Sequence, residues 1–169
     1  HANSNNQSRQ ATGAAASNVD LYQVNCTYYN ALGANDLDYL ISRAIQFFAP
    51  GVPQVYYGGL FACENDMDLL ARTNVGRDIN RPYLNTETIE HALNKPVVKG
   101  LIELIKLRNE HPAFAGEFSA HGTQGICCLT WQLEDKSIAL SVNFKTRDAL
   151  ITQVNGDEET TISLNALLA

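Results

Sequence analysis

Asp36-Leu37-Asp38-Tyr39-Leu40-Ile41-Ser42-Arg43-Ala44-Ile45-Gln46-Phe47-Phe48-Ala49-Pro50-Gly51-Val52-Pro53-Gln54-Val55-Tyr56-Tyr57 is the stretch on which the fold turns. Leu37, Leu40, Ile41, Ala44, Ile45 and Phe48 recur at helical spacing, which predicts one helix from Asp36 to about Phe48. Asn35 stands where an N-cap belongs, Asp36 and Asp38 fill the first turn, and Pro50-Gly51 stops the helix. Val52 to Tyr57 then forms a short apolar run without alternation, the pattern of a strand buried on both faces of its sheet. Pro53 falls near its start, where a ladder donor can be spared, and Gly58-Gly59 closes it. A helix, a buried strand, a long loop and a further helix is the order found in the last units of a (β/α)8 barrel.

Working outward, residues 1–18 are rich in Asn, Ser, Gln, Ala and Gly and read as a loop. A short helical stretch is expected around Cys26 to Leu32. Downstream, Asp66 to Arg72 and Thr86 to Leu93 read as short helices, with an irregular loop from Asn74 to Tyr83 between them. Pro96 opens a strong helix to about Asn109, since proline suits the first helical turn, and His111-Pro112 ends it. After Phe114 the period changes. Gly125–Leu133, Lys136–Phe144, Ala149–Val154 and Thr160–Leu164 read as strands, and Asn155-Gly156 is a hairpin signal. The expected fold class is therefore α/β: the C-terminal part of a (β/α)8 TIM barrel over 1–113, including a binding loop, then a small antiparallel β domain over 114–169.

The bulk properties exclude some partners. Net charge is −6 with acids and bases interspersed, whereas phosphate backbones need a basic patch, so nucleic acid is not expected. No apolar run is long enough to span a bilayer. Cys26, Cys63, Cys127 and Cys128 show no C-x-x-C spacing and the histidines are scattered. Neither a metal site nor a disulfide framework is expected, and reduced thiols suit a cytoplasmic protein. Asn6-Gln7-Ser8 and Asn25-Cys26-Thr27 match the glycosylation sequon, a pattern short enough to arise by chance. The chain opens at His1 on what reads as loop interior, so a piece of a longer polypeptide is expected.

Function in such a barrel gathers at the C-terminal ends of strands. That singles out the segments before the first long helix and after Tyr57, which hold Asp20, Tyr22, Gln23, Asp66, Arg77, Asp78 and Arg81. Asp20, Leu21, Tyr22 and Gln23 combine a carboxylate, an aromatic hydroxyl and an amide, the donors, acceptors and apolar platform that a polyol such as a sugar requires. The same residues read alone also suit a polar turn before a helix. Arg77 presents a planar fork that can span vicinal hydroxyls or grip phosphate; a surface ion pair is the ordinary alternative. Core packing is the ordinary reading of Tyr28, Tyr29, Tyr56 and Tyr57. No G-x-S-x-G, Walker or dinucleotide fingerprint is present. Two positioned carboxylates, which glycosidic chemistry needs, cannot be picked out.

Several runs are more specific. His1-Ala2-Asn3, Ala11 to Asn18, Asp20 to Asn25 and Thr27-Tyr28-Tyr29 resemble the sucrose phosphorylase branch of glycoside hydrolase family 13. So do Pro50 to Tyr57, Glu64-Asn65-Asp66-Met67 and Gly76-Arg77-Asp78-Ile79-Asn80-Arg81. The likeness runs in order from His1 to about Phe118, and the β-rich tail is similar only in character. The resemblance implies a retaining glucosyltransferase that converts sucrose and phosphate into α-glucose 1-phosphate and fructose without a cofactor. It implies an Asp nucleophile, a Glu acid/base and a transition-state-stabilising Asp, all upstream of this chain, so that the chain alone is inactive. It places Asp20 and Gln23 facing fructose, Leu21 and Tyr22 admitting phosphate, and Arg77 on the glucosyl unit. A homodimer of the full-length protein is the assembly it suggests. Gly58-Gly59 stands where Val-Gly is usual, Pro82 where His is usual, and Asn5 to Gln10 departs from the common run. These departures keep sucrose 6-phosphate and glucosylglycerate phosphorylases open as relatives. A non-catalytic sugar-binding module is the alternative of another class.

Overall fold

The computed structural model describes residues 1–11 and 24–169. Its helices are α1 (Gln7–Gln10), α2 (Tyr28–Ala31), α3 (Asp36–Phe48), α4 (Tyr57–Leu60), α5 (Met67–Thr73), α6 (Thr86–Leu93) and α7 (Pro96–Glu110). Its strands are β1 (Glu117–Thr123), β2 (Ile126–Leu133), β3 (Lys136–Asn143), β4 (Asp148–Asn155) and β5 (Glu158–Ser163). The chain divides into two compact units, one formed by His1–Tyr39 with Val55–Val98, the other by Leu40–Gln54 with Lys99–Ala169.

In the first unit, short helices start where side-chain oxygens meet otherwise unpaired amides. Thr27 caps α2, Asp66 caps α5 through Leu69 N–H, and Asn85 with Thr88 forms a reciprocal capping box at α6. At the start of α3 the Asn35 side chain accepts from Asp38 N–H at 3.0 Å, as its sequence position predicts. Tyr39 is fully buried, with Tyr28 and Tyr29 packed edge-on against its ring, and its hydroxyl donates to the Gly59 carbonyl. A smaller apolar cluster joins Ala11, Leu70 and Ile79, with Met67 packed against it.

The second unit is built on an antiparallel meander with strand order β1-β2-β3-β4-β5. Alternation sends Leu129 and Trp131 of β2, Ile138, Leu140 and Val142 of β3, and Ala149 and Ile151 of β4 into one core. The Trp131 indole N–H donates to the carbonyl of Phe48, the last residue of α3, at 2.7 Å. That bond satisfies a helix-end acceptor that has no partner inside the helix. Phe114 packs on both Phe48 and Trp131, and the Arg108 guanidinium lies 4.4 Å from the Phe114 ring centre. Gly100 belongs to the same core because a Cβ there would come within 3.0 Å of Leu40 and 3.1 Å of the Leu167 carbonyl.

The long helices and the four strands read from the sequence are present, but four expectations need correction. The opening residues, read as loop, hold α1 and bury Ser4, Ser8 and Ala11, because their small side chains let the chain pack closely. Residues 52–56 form no strand: Val52 is 91% exposed and Tyr56 54% exposed, and Tyr57 opens α4. A parallel strand needs neighbours to complete its ladder, and none pairs with this run among the described residues. Tyr56 and Tyr57 are accordingly exposed and not core, as is Tyr28 in part. β1 was not anticipated, because Glu117-Phe118-Ser119-Ala120-His121-Gly122-Thr123 carries one large apolar side chain and takes its conformation from pairing with β2. Among the described residues no helix is long and apolar enough to cross a membrane.

Candidate functional site

The site is assembled in the first unit around one amide side chain. The Asn65 Oδ1 accepts from Thr27 N–H at 2.8 Å, and its Nδ2 donates to Gln7 Oε1 at 2.9 Å and toward Cys26 Sγ at 3.6 Å. Its backbone N–H donates to Asn30 Oδ1 at 2.6 Å, an oxygen that also accepts the Thr27 hydroxyl. Asn80 Nδ2 donates to the Cys26 carbonyl at 3.3 Å. Thr27 and Asn30 are buried, so each bond replaces one that water cannot supply.

This network fixes what flanks the predicted binding residues. Asp20, Leu21, Tyr22 and Gln23 themselves lie outside the described residues. On their upstream side Ala11 is fully buried, and its carbonyl accepts from Asn25 Nδ2 on the downstream side at 3.1 Å. Ala11 also packs against Ile79, which belongs to the 3-10 turn Gly76–Asn80 that carries Arg77. Gly76 and Ile79 are buried in that turn, while Arg77 is exposed. The Ile79 carbonyl accepts from Asp66 N–H at 2.8 Å, which fixes the turn to the start of α5. The structure thus packs the Arg77 turn, through Ile79, against Ala11.

The other sequence candidates divide. Asp66 spends a carboxylate oxygen on the α5 cap, so it is a positioning group. Arg81 is exposed and lies near the Tyr57 phenol. The Tyr56 and Tyr57 rings lie 4.3 Å apart between centres at a tilt of 48°, and the Tyr57 hydroxyl donates to the Pro82 carbonyl at 3.0 Å. Partial burial, the bond to Tyr56 and its negative potential push the Tyr57 phenol up to about 12. An open cleft of about 810 Å³ lies between the start of α5 and α6, lined by Phe61, Cys63, Asn65, Asp66, His91 and Lys95 among others. Arg77, Asp78 and Arg81 are not in its lining. Burial raises the Cys63 thiol above its usual range, with Lys95 opposing, so it is protonated at neutral pH. Near the chain start, His1 Nδ1 lies 2.7 Å from Ser8 Oγ, which contacts Ser4 Oγ at 3.0 Å. Ser8 is fully buried, which makes this a tie at the base of α1 and not an accessible nucleophile. Among the described residues no group of His, Cys, Asp and Glu side chains is gathered to hold a metal ion.

The sequence reading missed Asn65, Gln7 and Asn30. The link from Thr27 to Asn65 crosses 38 positions and leaves no local signal.

No family model matches the chain. It is 58% identical over 153 residues to the sucrose phosphorylase of Agrobacterium vitis, covering 90% of this chain and 31% of that protein. It is 62% identical over 119 residues to the sucrose phosphorylase of Bifidobacterium adolescentis, covering 70% of this chain and 24% of that protein. The crystal structure of sucrose 6F-phosphate phosphorylase from Thermoanaerobacter thermosaccharolyticum superposes with a TM-score of 0.81 at 44% identity, over 83% of this chain and 29% of that one. The sheet and its helices match the C-terminal region of that structure. The chain therefore spans about a quarter to three tenths of the length of these relatives, and over that span it is a homologue of the sucrose phosphorylases.

Proposed function

We propose that this chain is the C-terminal portion of a retaining glucosyltransferase that phosphorolyses sucrose to α-glucose 1-phosphate and fructose by double displacement. The observation that carries the reading is the 58% identity across 153 residues to a sucrose phosphorylase. Sucrose is favoured over sucrose 6-phosphate as donor. Identity to the sucrose 6F-phosphate phosphorylase is lower, at 44%, and Asp20 would repel a second anion at the acceptor.

In this reading residues 1–113 complete a (β/α)8 barrel of the glycoside hydrolase 13 type and 114–169 form the β domain. The catalytic carboxylates belong to the upstream part, so this chain by itself has no turnover. Within it, Arg77 grips the glucosyl unit, Asp20 and Gln23 face fructose, and Leu21 and Tyr22 serve phosphate. One site must accept a neutral ketose and then a dianion. Exchanging a carboxylate for a phenol and backbone donors relieves the repulsion that the second step would meet. The unpaired thiols of Cys26, Cys63, Cys127 and Cys128 suit a cytoplasmic setting.

Half-reaction kinetics on the full-length polypeptide test this. Arg77→Ala should slow glucosyl transfer from every donor by about ten- to hundredfold, the worth of a charge-assisted bond of roughly 1.5–3 kcal/mol. Gln23→Ala should weaken fructose and spare transfer from glucose 1-phosphate to small acceptors. Tyr22→Ala should harm the phosphate step more than hydrolysis. Uniform losses for Gln23→Ala and Tyr22→Ala across all acceptors would reduce the segment to a structural one.

A further inference from the structure

We propose that Ile79 and Asn80 are positioning residues for the glucosyl unit: together they seat the 3-10 turn Gly76–Asn80 so that Arg77 is presented at a fixed place and angle. The inference rests on the reading of Arg77 as the grip on the glucosyl unit given above. Its own support is geometric. A 3-10 turn repeats every three residues, so Gly76 and Ile79 share one face and Arg77 and Asn80 the next. Burial follows that division: Gly76 and Ile79 are buried, and Arg77 is exposed.

The inward face is held by packing and by one backbone bond. Ile79 is fully buried against Ala11 and Leu70, with Met67 beside them. Its carbonyl accepts from Asp66 N–H at 2.8 Å, and the Asp66 carboxylate in turn caps α5 by accepting from Leu69 N–H at 2.8 Å. The face that carries Arg77 is held by Asn80, whose Nδ2 donates to the Cys26 carbonyl, 54 positions away, at 3.3 Å. Hydrogen bonds within a 3-10 turn have poor geometry, so ties from outside it decide where the Arg77 stem leaves the backbone. An arginine depends on such a mount. Its planar fork reads hydroxyls only when the plane is aimed, and a loosened stem adds freedom that binding must then remove. Alanine at position 79 empties the inward face, whereas valine keeps most of it filled. Alanine at position 80 removes the tie to Cys26 and leaves the packing in place. Neither side chain needs to touch substrate for this role.

The test is a double-mutant cycle with Arg77→Ala in the full-length polypeptide, read as kcat/KM for sucrose in the presence of phosphate, below the onset of unfolding of every variant. Ile79→Ala should lower kcat/KM about tenfold and Asn80→Ala about fivefold, while Ile79→Val stays within about twofold of wild type. Beside Arg77→Ala, both alanine changes should cost less than about a further twofold, because no guanidinium is left to misplace. Hydrogen exchange at Asp66 N–H should accelerate in Ile79→Ala, a readout that needs no activity. Losses equal in the two backgrounds, Ile79→Ala at the wild-type kcat/KM, or exchange at the wild-type rate overturns the positioning role while leaving the Arg77 reading standing. Arg77→Ala at the wild-type kcat/KM overturns that reading and this inference with it. Should Ile79→Ala fail to fold, Asn80→Ala decides alone: a kcat/KM equal to wild type, or the same loss beside Arg77→Ala, refutes the proposal.

Discussion

Replacing Trp131 with phenylalanine probes the joint on which the second unit depends. Trp131 is 8% exposed and donates its indole N–H to the Phe48 carbonyl at the end of α3 at 2.7 Å. Its ring also contacts Phe114 and Phe118, with ring centres 5.9 and 5.1 Å away. Phenylalanine retains one ring for those contacts but leaves the buried carbonyl without its donor, which costs about 1–2 kcal/mol. The missing second ring leaves a partly collapsed void worth roughly another 1 kcal/mol. The expected loss is about 2–3 kcal/mol, read from urea unfolding of the chain followed by far-ultraviolet circular dichroism. Tryptophan fluorescence cannot follow the variant, since Trp131 is the only tryptophan. Phe144→Ala, at a side chain 56% exposed, should stay within about 0.5 kcal/mol and serves as control. A loss for Trp131→Phe no larger than that of the control would refute the claim that this bond ties α3 to the sheet core.

Three further outcomes follow from the same structure. Burial and the positive charge of Lys136 lower the His111 imidazole, whose Nδ1 accepts from Ala113 N–H at 3.3 Å. The neutral form is therefore favoured by folding, so its contribution is complete above the unfolded value near 6.5 and is lost as pH falls toward the lower folded value; His111→Gln should flatten the pH dependence of Tm in that window. In an alkaline absorbance titration Tyr57 should ionise near 12 and Tyr29 later than ordinary tyrosines, because burial and the bond to Asp36 both oppose its phenolate; Tyr57→Phe should delete one late component. Gly116→Ala should disrupt the start of β1, since its Cβ would overlap the Gln132 carbonyl, and should cost at least about 3 kcal/mol; Gly58→Ala, with only ordinary contacts at 3.6 Å, should cost under about 1 kcal/mol by the same unfolding measurement.

What the sequence disclosed follows from which forces are local. The α3 and α7 stripes, the Asn35 cap and the Asn155-Gly156 turn depend on neighbours a few positions away, and each lies where the pattern put it. Gly156 adopts a φ of 60°, the conformation that made the dipeptide a turn signal. Val52 to Tyr57 failed for the opposite reason. Its strand pattern reports the company it keeps in a sheet, and a run without a ladder partner has nothing to hold it extended. β1 failed in reverse: polar residues with little strand pattern become a strand because β2 presents an open edge. At the site, residue type singled out Arg77 and Asp20 to Gln23 as candidates, but it gave no sign of the Asn65 network. Its bonds reach between residues 35 to 58 positions apart, and an asparagine carries no mark of a distant partner.

The most direct measurement is product formation by the full-length polypeptide that carries this sequence, given sucrose and inorganic phosphate and followed by phosphorus and proton magnetic resonance. The account predicts glucose 1-phosphate released with fructose, the α-anomer alone, at a rate that falls sharply in Arg77→Ala. Free glucose as the sole product, a β-anomer, or no turnover of sucrose in the presence of phosphate would contradict it.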